Sequence, residues 1–293
     1  MHIGFLTCPG THPGSPDRRS DAYEHDLQVD AIRPELEVRG HSLVEIDWRS
    51  PVEAFADLPL ILIGTPWDYQ DSEAQFLARL DALEAAGHRV CNSAATVRWN
   101  ACKIYLRDLA GSGVATIPTL WVAEPRAADI ERAFDAFATD SVVAKRQIGA
   151  GAEGQSLHRK SGLNPDWQMA QPAMLQSYIP QIRSDGEYSF LFVEGTFSHA
   201  LRKRPAHGDY RVQSVYGGTE EAIDPGALDL AAAQAAVDAI PFATPLYARI
   251  DMVRGDGGGL LLMEAELIEP YLYPMQGPKL GAMLAEAIDR RLA

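Results

Sequence analysis

Residues 246–266 read Leu-Tyr-Ala-Arg-Ile-Asp-Met-Val, then Arg-Gly-Asp-Gly-Gly-Gly, then Leu-Leu-Leu-Met-Glu-Ala-Glu. Two apolar runs, Leu246 to Val253 and Leu260 to Glu266, flank a glycine-rich turn, so they are expected to pair antiparallel. With Gly257-Gly258 as the two-residue turn, Asp251 falls opposite Glu264 and Arg249 opposite Glu266. All four then share one face, because alternate residues of a strand point the same way. Opposed carboxylates repel, so Asp251, Glu264 and Glu266 on an apolar hairpin need a cation between them. Hard oxygen ligands select magnesium, which keeps waters and shares its remaining positions with substrate phosphates.

Upstream, Glu187 to Val193 and Phe197 to Arg202 form a second hairpin turned at Glu194-Gly195, and it runs into Arg202-Lys203-Arg204. With Arg211 these cations make a local basic cluster on an acidic chain. Ser141 to Lys145 is an expected strand leading into Gly149, Gly151 and Gly154, a string that satisfies G-x-G-x-x-G. The dinucleotide reading fails because Gln155 to Arg159 has no helical period and reads as a returning strand. The P-loop reading fails as well, since Gln155 stands where the lysine belongs. A flexible hairpin loop remains whose backbone N–H groups can close over an anion, with Lys145 as the cation. Ala173 to Tyr178 is a further strand.

The first third alternates strands and helices. Ile3–Thr7, Ser42–Asp47, Leu58–Ile63 and Val90–Cys91 read as strands, and Asp26–Arg39 and Glu73–Ala86 as helices stopped by Gly40 and Gly87. Pro34 is expected to kink or shorten the first helix. This order implies a small open parallel α/β sheet with ligands beyond the carboxyl ends of its strands, where Gly64 to Tyr69 lies. A last helix, Lys279 to Arg291, carries an apolar stripe for packing back on the core and a possible homodimer contact.

The length of 293 residues allows about two domains of ordinary size. A formal net charge of −14 repels polyanions, which argues against nucleic acid and anionic membranes as partners. Cys8, Cys91 and Cys102 have no metal-ligand spacing and read as reduced thiols. The opening residues make no signal peptide and no stretch approaches 18 apolar residues, so a cytoplasmic protein is expected. Among the scattered histidines, His199 on the basic hairpin is the one worth testing.

In their order along the chain these residues resemble the ATP-grasp superfamily of carboxylate–amine ligases. Within it, Trp67-Asp68-Tyr69, Arg98-Trp99-Asn100, Gly208 to Gln213, Gly217-Gly218 and Leu267-Ile268-Glu269-Pro270 are similar to the cycloserine-forming branch, the O-ureido-serine cyclo-ligases. The resemblance implies an α/β chain, α+β in its C-terminal part. An N-terminal open parallel sheet domain (1–97) would be followed by two ATP-binding subdomains (98–178 and 179–293). It implies ATP and two magnesium ions as cofactors and a small amino-acid-derived carboxylate as substrate. Lys103, Lys145 and the loop Gly149, Gly151 and Gly154 would contact nucleotide phosphates. Gln176, Ser177, Tyr178 and Ile179 would read adenine, and Glu187 would take the ribose hydroxyls. Asp251, Glu264 and Glu266 would hold metal, Glu266 standing where the superfamily has asparagine. Lys203 would hold phosphate, and Arg249 or Arg211 would stabilise the oxyanion. The implied activity is formation of an acyl-phosphate followed by ring closure. An intermolecular amino-acid or peptide ligase and a non-catalytic nucleotide-binding relative are the alternatives.

Overall fold

The computed structural model describes residues 1–149, 154–206 and 217–293. Strands β1 (His2–Thr7), β2 (Ser42–Asp47), β3 (Leu60–Leu62) and β4 (Arg89–Cys91) form a parallel sheet in the order β2-β1-β3-β4. Helices α1 (Ala22–Val38) and α2 (Glu73–Ala85) cross it and end at Gly40 and Gly87, as their apolar periods predict. Pro34 does not shorten α1, which runs through it to Val38. Packing of Val29, Ile32 and Leu36 into the core outweighs the one backbone donor that the proline removes.

Two short helices follow, α3 (Ala94–Asn100) and α4 (Tyr105–Gly111). The next sheet is antiparallel, in the order β5-β8-β6-β7: β5 (Thr119–Val122), β6 (Ser141–Arg146), β7 (Ser156–Arg159) and β8 (Ala173–Ser177), covered by α5 (Ala127–Phe137). The returning strand after the glycine loop is β7, paired with β6. After the one-turn helix α6 (Gln181–Ser184) come β9 (Glu187–Val193), β10 (Thr196–Arg204), β11 (Thr219–Ile223), α7 (Ala227–Asp238), β12 (Tyr247–Arg254), β13 (Leu260–Glu266) and α8 (Leu280–Leu292). These strands make a five-stranded antiparallel sheet in the order β11-β10-β9-β12-β13.

Alternation along β9 and β12 divides that sheet into two faces. Phe190, Phe192, Ala248, Ile250 and Met252 pack with residues of α4 and α7. Leu191, Val193, Leu201 and Tyr247 pack against α8 and, through it, against α1 and the parallel sheet in one continuous core. The C-terminal helix therefore lies between the large sheet and α1 and does not cap the large sheet alone. Beyond the area α8 covers, this second face turns from apolar to charged: Glu187, Ser189, Lys203, Arg249 and Asp251.

Side-chain amides lock the N-terminal unit to the last two long strands. Asn92 Nδ2 donates to the carbonyls of Tyr247 and Leu267 at 3.0 and 2.7 Å, and its Oδ1 accepts from Leu246 N–H at 2.7 Å. Asn100 repeats the pattern on Ala265 and Leu267.

Helices α1 and α8 approach closely at Gly281, where an added Cβ would stand 1.9 Å from the carbonyl oxygen of Ala31. Gly281→Val should cost ~1–3 kcal/mol through forced separation of the two helices. Gly257→Ala, in open space, should stay within about 0.5 kcal/mol of wild type in the same urea titration. Equal midpoints for the two variants would refute this packing account.

Candidate active site

The charged half of the large sheet faces a cavity of about 310 Å³. Several parts of the chain wall it: Trp67, Tyr69 and Gln70 beyond β3; Lys103 and its neighbours between α3 and α4; Lys145 and Met174 of the second sheet; Glu187, Lys203, Arg249, Asp251, Glu264 and Glu266 of the large sheet; and Tyr271 and Tyr273 before α8. Asp21, Glu24, Glu220 and Glu269 add acids to the lining.

The β12–β13 pairing places Asp251 opposite Glu264 and Arg249 opposite Glu266, as expected. The route differs from the expected one. The turn hydrogen bond runs from Gly258 N–H to Gly255 O at 2.9 Å, so Asp256 and Gly257 are the central residues, one position earlier than Gly257-Gly258. A bulge at Met263 then restores the register, Met252 pairing with Leu262 and Asp251 with Glu264. The extra residue flips the side-chain parity of β13. Leu260 and Leu262 before it share the apolar face with Ala265 and Leu267 after it, leaving Glu264 and Glu266 to the cavity.

The cation expected between the acids comes from the chain itself. Arg249 Nε bonds Asp251 at 3.0 and 3.2 Å, Nη1 bonds the carbonyl of Tyr271 at 3.0 Å, and Nη2 bonds Glu266. Lys203 Nζ pairs with Glu187 and lies 3.4 Å from Asp251, which also accepts a hydrogen bond from Ser189 Oγ. Burial opposes ionisation of Asp251, but Arg249 and Lys203 outweigh it and hold its carboxyl below the ordinary range. Burial likewise opposes the charge on Lys203, yet Asp251 and Glu187 keep its ammonium well above its usual value.

The basic run Arg202-Lys203-Arg204 does not act as a cluster. Strand alternation sends Lys203 inward, while Arg202 and Arg204 turn outward to Glu221. Arg211 and Gly151 lie outside the described residues. Lys103 Nζ bonds Glu264 Oε1 and the carbonyl of Gly149, each at 2.7 Å. Burial opposes its charge, and Glu264 reverses that to raise its pKa. Lys145 lines the same cavity with no hydrogen bond or ion pair among the described residues. Burial, reinforced against Glu264 by Lys103, lowers its pKa.

Gln176, Ser177, Tyr178 and Ile179 end β8 outside the cavity lining. Tyr178 and Ile179 belong to an apolar cluster with Ile117, Ile182, Val253 and Met263, and Met263 also reaches the cavity. Gln176 is buried, with Nε2 donating to Thr119 Oγ1 at 3.0 Å and Oε1 lacking a partner. Gly149 borders the cavity with Gln155. His199 is buried outside the lining, its ring against Gly277 and its Nδ1 within 3.0 Å of Ser198 Oγ. Burial holds its pKa near 4 and leaves it neutral at physiological pH.

Hard carboxylate oxygens in this cavity suit magnesium in kind, and Glu264 and Glu266 open toward it. No group of three or more His, Cys, Asp or Glu side chains among the described residues stands ready for a metal. Arg249 and Lys203 occupy the oxygens of Asp251, and Lys103 occupies one of Glu264. Sequence reasoning missed Glu24, Gln70, Glu220, Tyr271 and Tyr273 as lining residues. Only the alternating Tyr271 and Tyr273, directly after Pro270, left a readable trace.

The fold defines the class: the chain has the fold of the ATP-grasp ligases. Its structure matches the ATP-grasp ligase PsnB, solved with a precursor variant, Mg and ADP, with a TM-score of 0.66 and 15% identity over 99% of this chain and 98% of that one. D-alanine–D-alanine ligase from Bacillus anthracis, solved with ATP, matches with a TM-score of 0.67 and 16% identity over 99% and 96%. The more particular likeness is to cycloserine biosynthesis. Residues 3–92 match the family described as the N-terminal domain of D-cycloserine synthetase DcsG. The chain is 27% identical over 266 residues to the cycloserine biosynthesis protein DcsG of Streptomyces lavendulae, covering 84% of this chain and 87% of that protein. The crystal structure of D-cycloserine synthetase DcsG matches over the full length of both chains with a TM-score of 0.82 and 23% identity. Among the described residues no helix is long and apolar enough to cross a membrane.

Three cavity carboxyls are pushed up by burial from 4.5: Glu24 and Glu269 to about 7, Glu266 to about 8. Above their ordinary value the unfolded chain ionises first, so the native state binds more protons and stability falls as pH rises. Asp251 acts in the opposite sense, but its contribution is complete above its unfolded value and is lost only on acidification. The ligand-free protein should therefore melt at a lower temperature near pH 8 than near pH 5.5, and Glu266→Gln should flatten that slope. A scanning calorimetry series with stability rising across this window would overturn the burial of these carboxyls.

Proposed function

We propose that this ligase phosphorylates a substrate carboxylate with ATP and closes a ring when a nitrogen of the same molecule displaces phosphate from the acyl-phosphate. Cycloserine formed from O-ureido-serine is the specific case favoured by the likeness to the cycloserine protein of Streptomyces lavendulae, the carbamoyl group on the ring-closing nitrogen being released with water as carbon dioxide and ammonia. The observation that carries the nucleotide half is Lys145, a half-buried ammonium in a cavity with no partner among the described residues. A buried cation without a counter-charge is costly, and phosphate oxygens supply one.

Moving a phosphoryl group between two anions requires positive charge on the transferring oxygens. Lys103 and Lys145 hold the phosphates beneath the loop that starts at Gly149 and ends at Gly154. Gln176 offers its unpartnered Oε1 to the adenine amino group, beside the apolar cluster of Tyr178 and Ile179, with Ser177 between. Glu187 takes the ribose hydroxyls. Glu264 and Glu266, with Asp251 behind them, would hold magnesium, which would supply neutralising charge to the phosphates. Lys203 keeps Asp251 ionised. Arg249 already has Asp251, Glu266 and Tyr271 as partners, and it turns part of this donor set to the oxyanion formed as nitrogen adds to the acyl carbon. Arg211 is the second candidate for that role. The organic substrate lies between Trp67–Tyr69 and the β12–β13 hairpin, both of which line the cavity. Joining two groups of one bound molecule is effectively unimolecular, so one organic pocket suffices.

Lys145→Ala should weaken ATP binding by about 1.5–3 kcal/mol, the range for a hydrogen bond to a charged group. Substrate affinity should be nearly unchanged, and isothermal titration calorimetry reads both. Unchanged ATP affinity would remove Lys145 from the phosphate site. With O-ureido-serine as the only organic substrate, ADP and phosphate release should be saturable and magnesium-dependent, and mass spectrometry should show a product without a free carboxylate. A linear amide formed only when a second amine is supplied would replace this reading by an intermolecular ligase.

A further inference from the structure

Glu269 follows β13 by three residues and lines the cavity. Its backbone is pinned, because Trp67 Nε1 donates to its carbonyl oxygen at 3.1 Å. Its carboxylate is held loosely. Among the described residues, the one hydrogen bond it accepts from another side chain comes from Gln70 Nε2 at 3.5 Å, the outer limit of such a bond. No cation pairs with it among the described residues, in contrast to the three acids of the last hairpin: Glu264 has Lys103, Glu266 has Arg249, Asp251 has Arg249 and Lys203. A carboxylate engaged in an ion pair must give up that contact to accept a proton, whereas Glu269 has no such contact to give up among the described residues. The charged and titratable groups around it are Lys103 from the segment between α3 and α4, Glu264 and Glu266 of β13, Tyr69 before α2, and Tyr247 of β12.

Resting on the ligase reading above, we propose that Glu269 is the general base that takes the proton from the nitrogen attacking the acyl-phosphate. The nitrogen lone pair forms the C–N bond, the bond from the acyl carbon to the phosphate oxygen breaks, and phosphate leaves with the bonding pair. The N–H proton passes to the carboxylate of Glu269, which afterwards returns it to water. Burial first of all, with Lys103 and Glu264 acting in opposite directions, brings this carboxyl to about 7, the range in which a base is both available and strong enough at neutral pH. Gln70 and Trp67 act as positioning residues, the first on the carboxylate and the second on its backbone.

Two readouts on the whole protein, with ATP, magnesium and O-ureido-serine, separate this role from the earlier phosphorylation. Hydroxylamine is uncharged and strongly nucleophilic at neutral pH, and it captures an acyl-phosphate as a hydroxamate without help from a protein base. Ring product is followed by mass spectrometry. In Glu269→Gln, hydroxamate formation should stay within about threefold of wild type while ring closure falls by ~10²-fold or more, the usual worth of a general base. Glu269→Asp should recover part of the ring closure and keep the acid limb of the kcat–pH profile, which the glutamine variant loses. Equal loss of hydroxamate and ring in Glu269→Gln, or unimpaired ring closure, overturns the assignment. Absence of hydroxamate with wild-type protein removes the ligase reading, and this role falls with it.

Discussion

The guanidinium of Arg249 is the contact on which the cavity depends. It is 8% exposed, ties Asp251 of its own strand to Glu266 of the next, and reaches the carbonyl of Tyr271 beyond both. A planar, permanently charged fork can serve three oxygen partners at once, which a lysine ammonium at the same place cannot do with fixed geometry. The burial of so much charge is not a source of net stability in itself, since the desolvation of each ion opposes the attraction between them. Its consequence is positional. Asp251 is held as an anion deep in the sheet, Glu266 is drawn to the cavity wall, and the segment carrying Tyr271 and Tyr273 is fastened over both.

That segment also joins the two ends of the chain. Leu272 N–H donates to Gln28 of α1 at 2.8 Å, and Tyr247 donates its hydroxyl to the carbonyl of Ile268 at 2.8 Å. Together with Asn92 and Asn100, these bonds satisfy backbone groups at the ends of β12 and β13 that have no further strand to pair with. The parallel sheet, the large sheet and α8 therefore share one core, and the cavity opens where their apolar contacts stop. Trp67 to Tyr69, placed from sequence on the ligand side beyond a strand, acquires its position against the last hairpin from this junction.

The hairpin of β12 and β13 shows how a right answer can rest on two offsetting displacements. Placing the turn at Gly257-Gly258 gives the observed pairing of Asp251 with Glu264, although the turn is centred on Asp256 and Gly257. The bulge at Met263 supplies the missing residue. No local pattern in Leu-Leu-Leu-Met-Glu-Ala-Glu marks a bulge, because each apolar residue there is acceptable on either face. The run Arg202-Lys203-Arg204 failed in the opposite way. Composition presented three equivalent cations, and strand alternation with the outward partner Glu221 separated one from the other two.

The amino-acid sequence by itself determined the strands and two long helices of the first third, the parallel character of the first sheet, β6 and β8, the return of β7 after the glycine loop, the two hairpins of the large sheet with their acids, and the last helix. Those features depend on apolar periodicity, turn residues and alternation, all of which act over a few neighbouring positions. Helices α3, α4, α5 and α7 and strands β5 and β11 were not read from the sequence. Only the tertiary structure decided which charges meet. It made Arg249 the cation between the acids, gave Lys203 to Glu187 and Asp251, left Lys145 and Glu269 without ionic partners among the described residues, and brought Tyr271 and Tyr273 into the wall. Ion pairing and burial link residues far apart in the chain, so their outcome depends on how three sheets pack and on no single stretch of sequence.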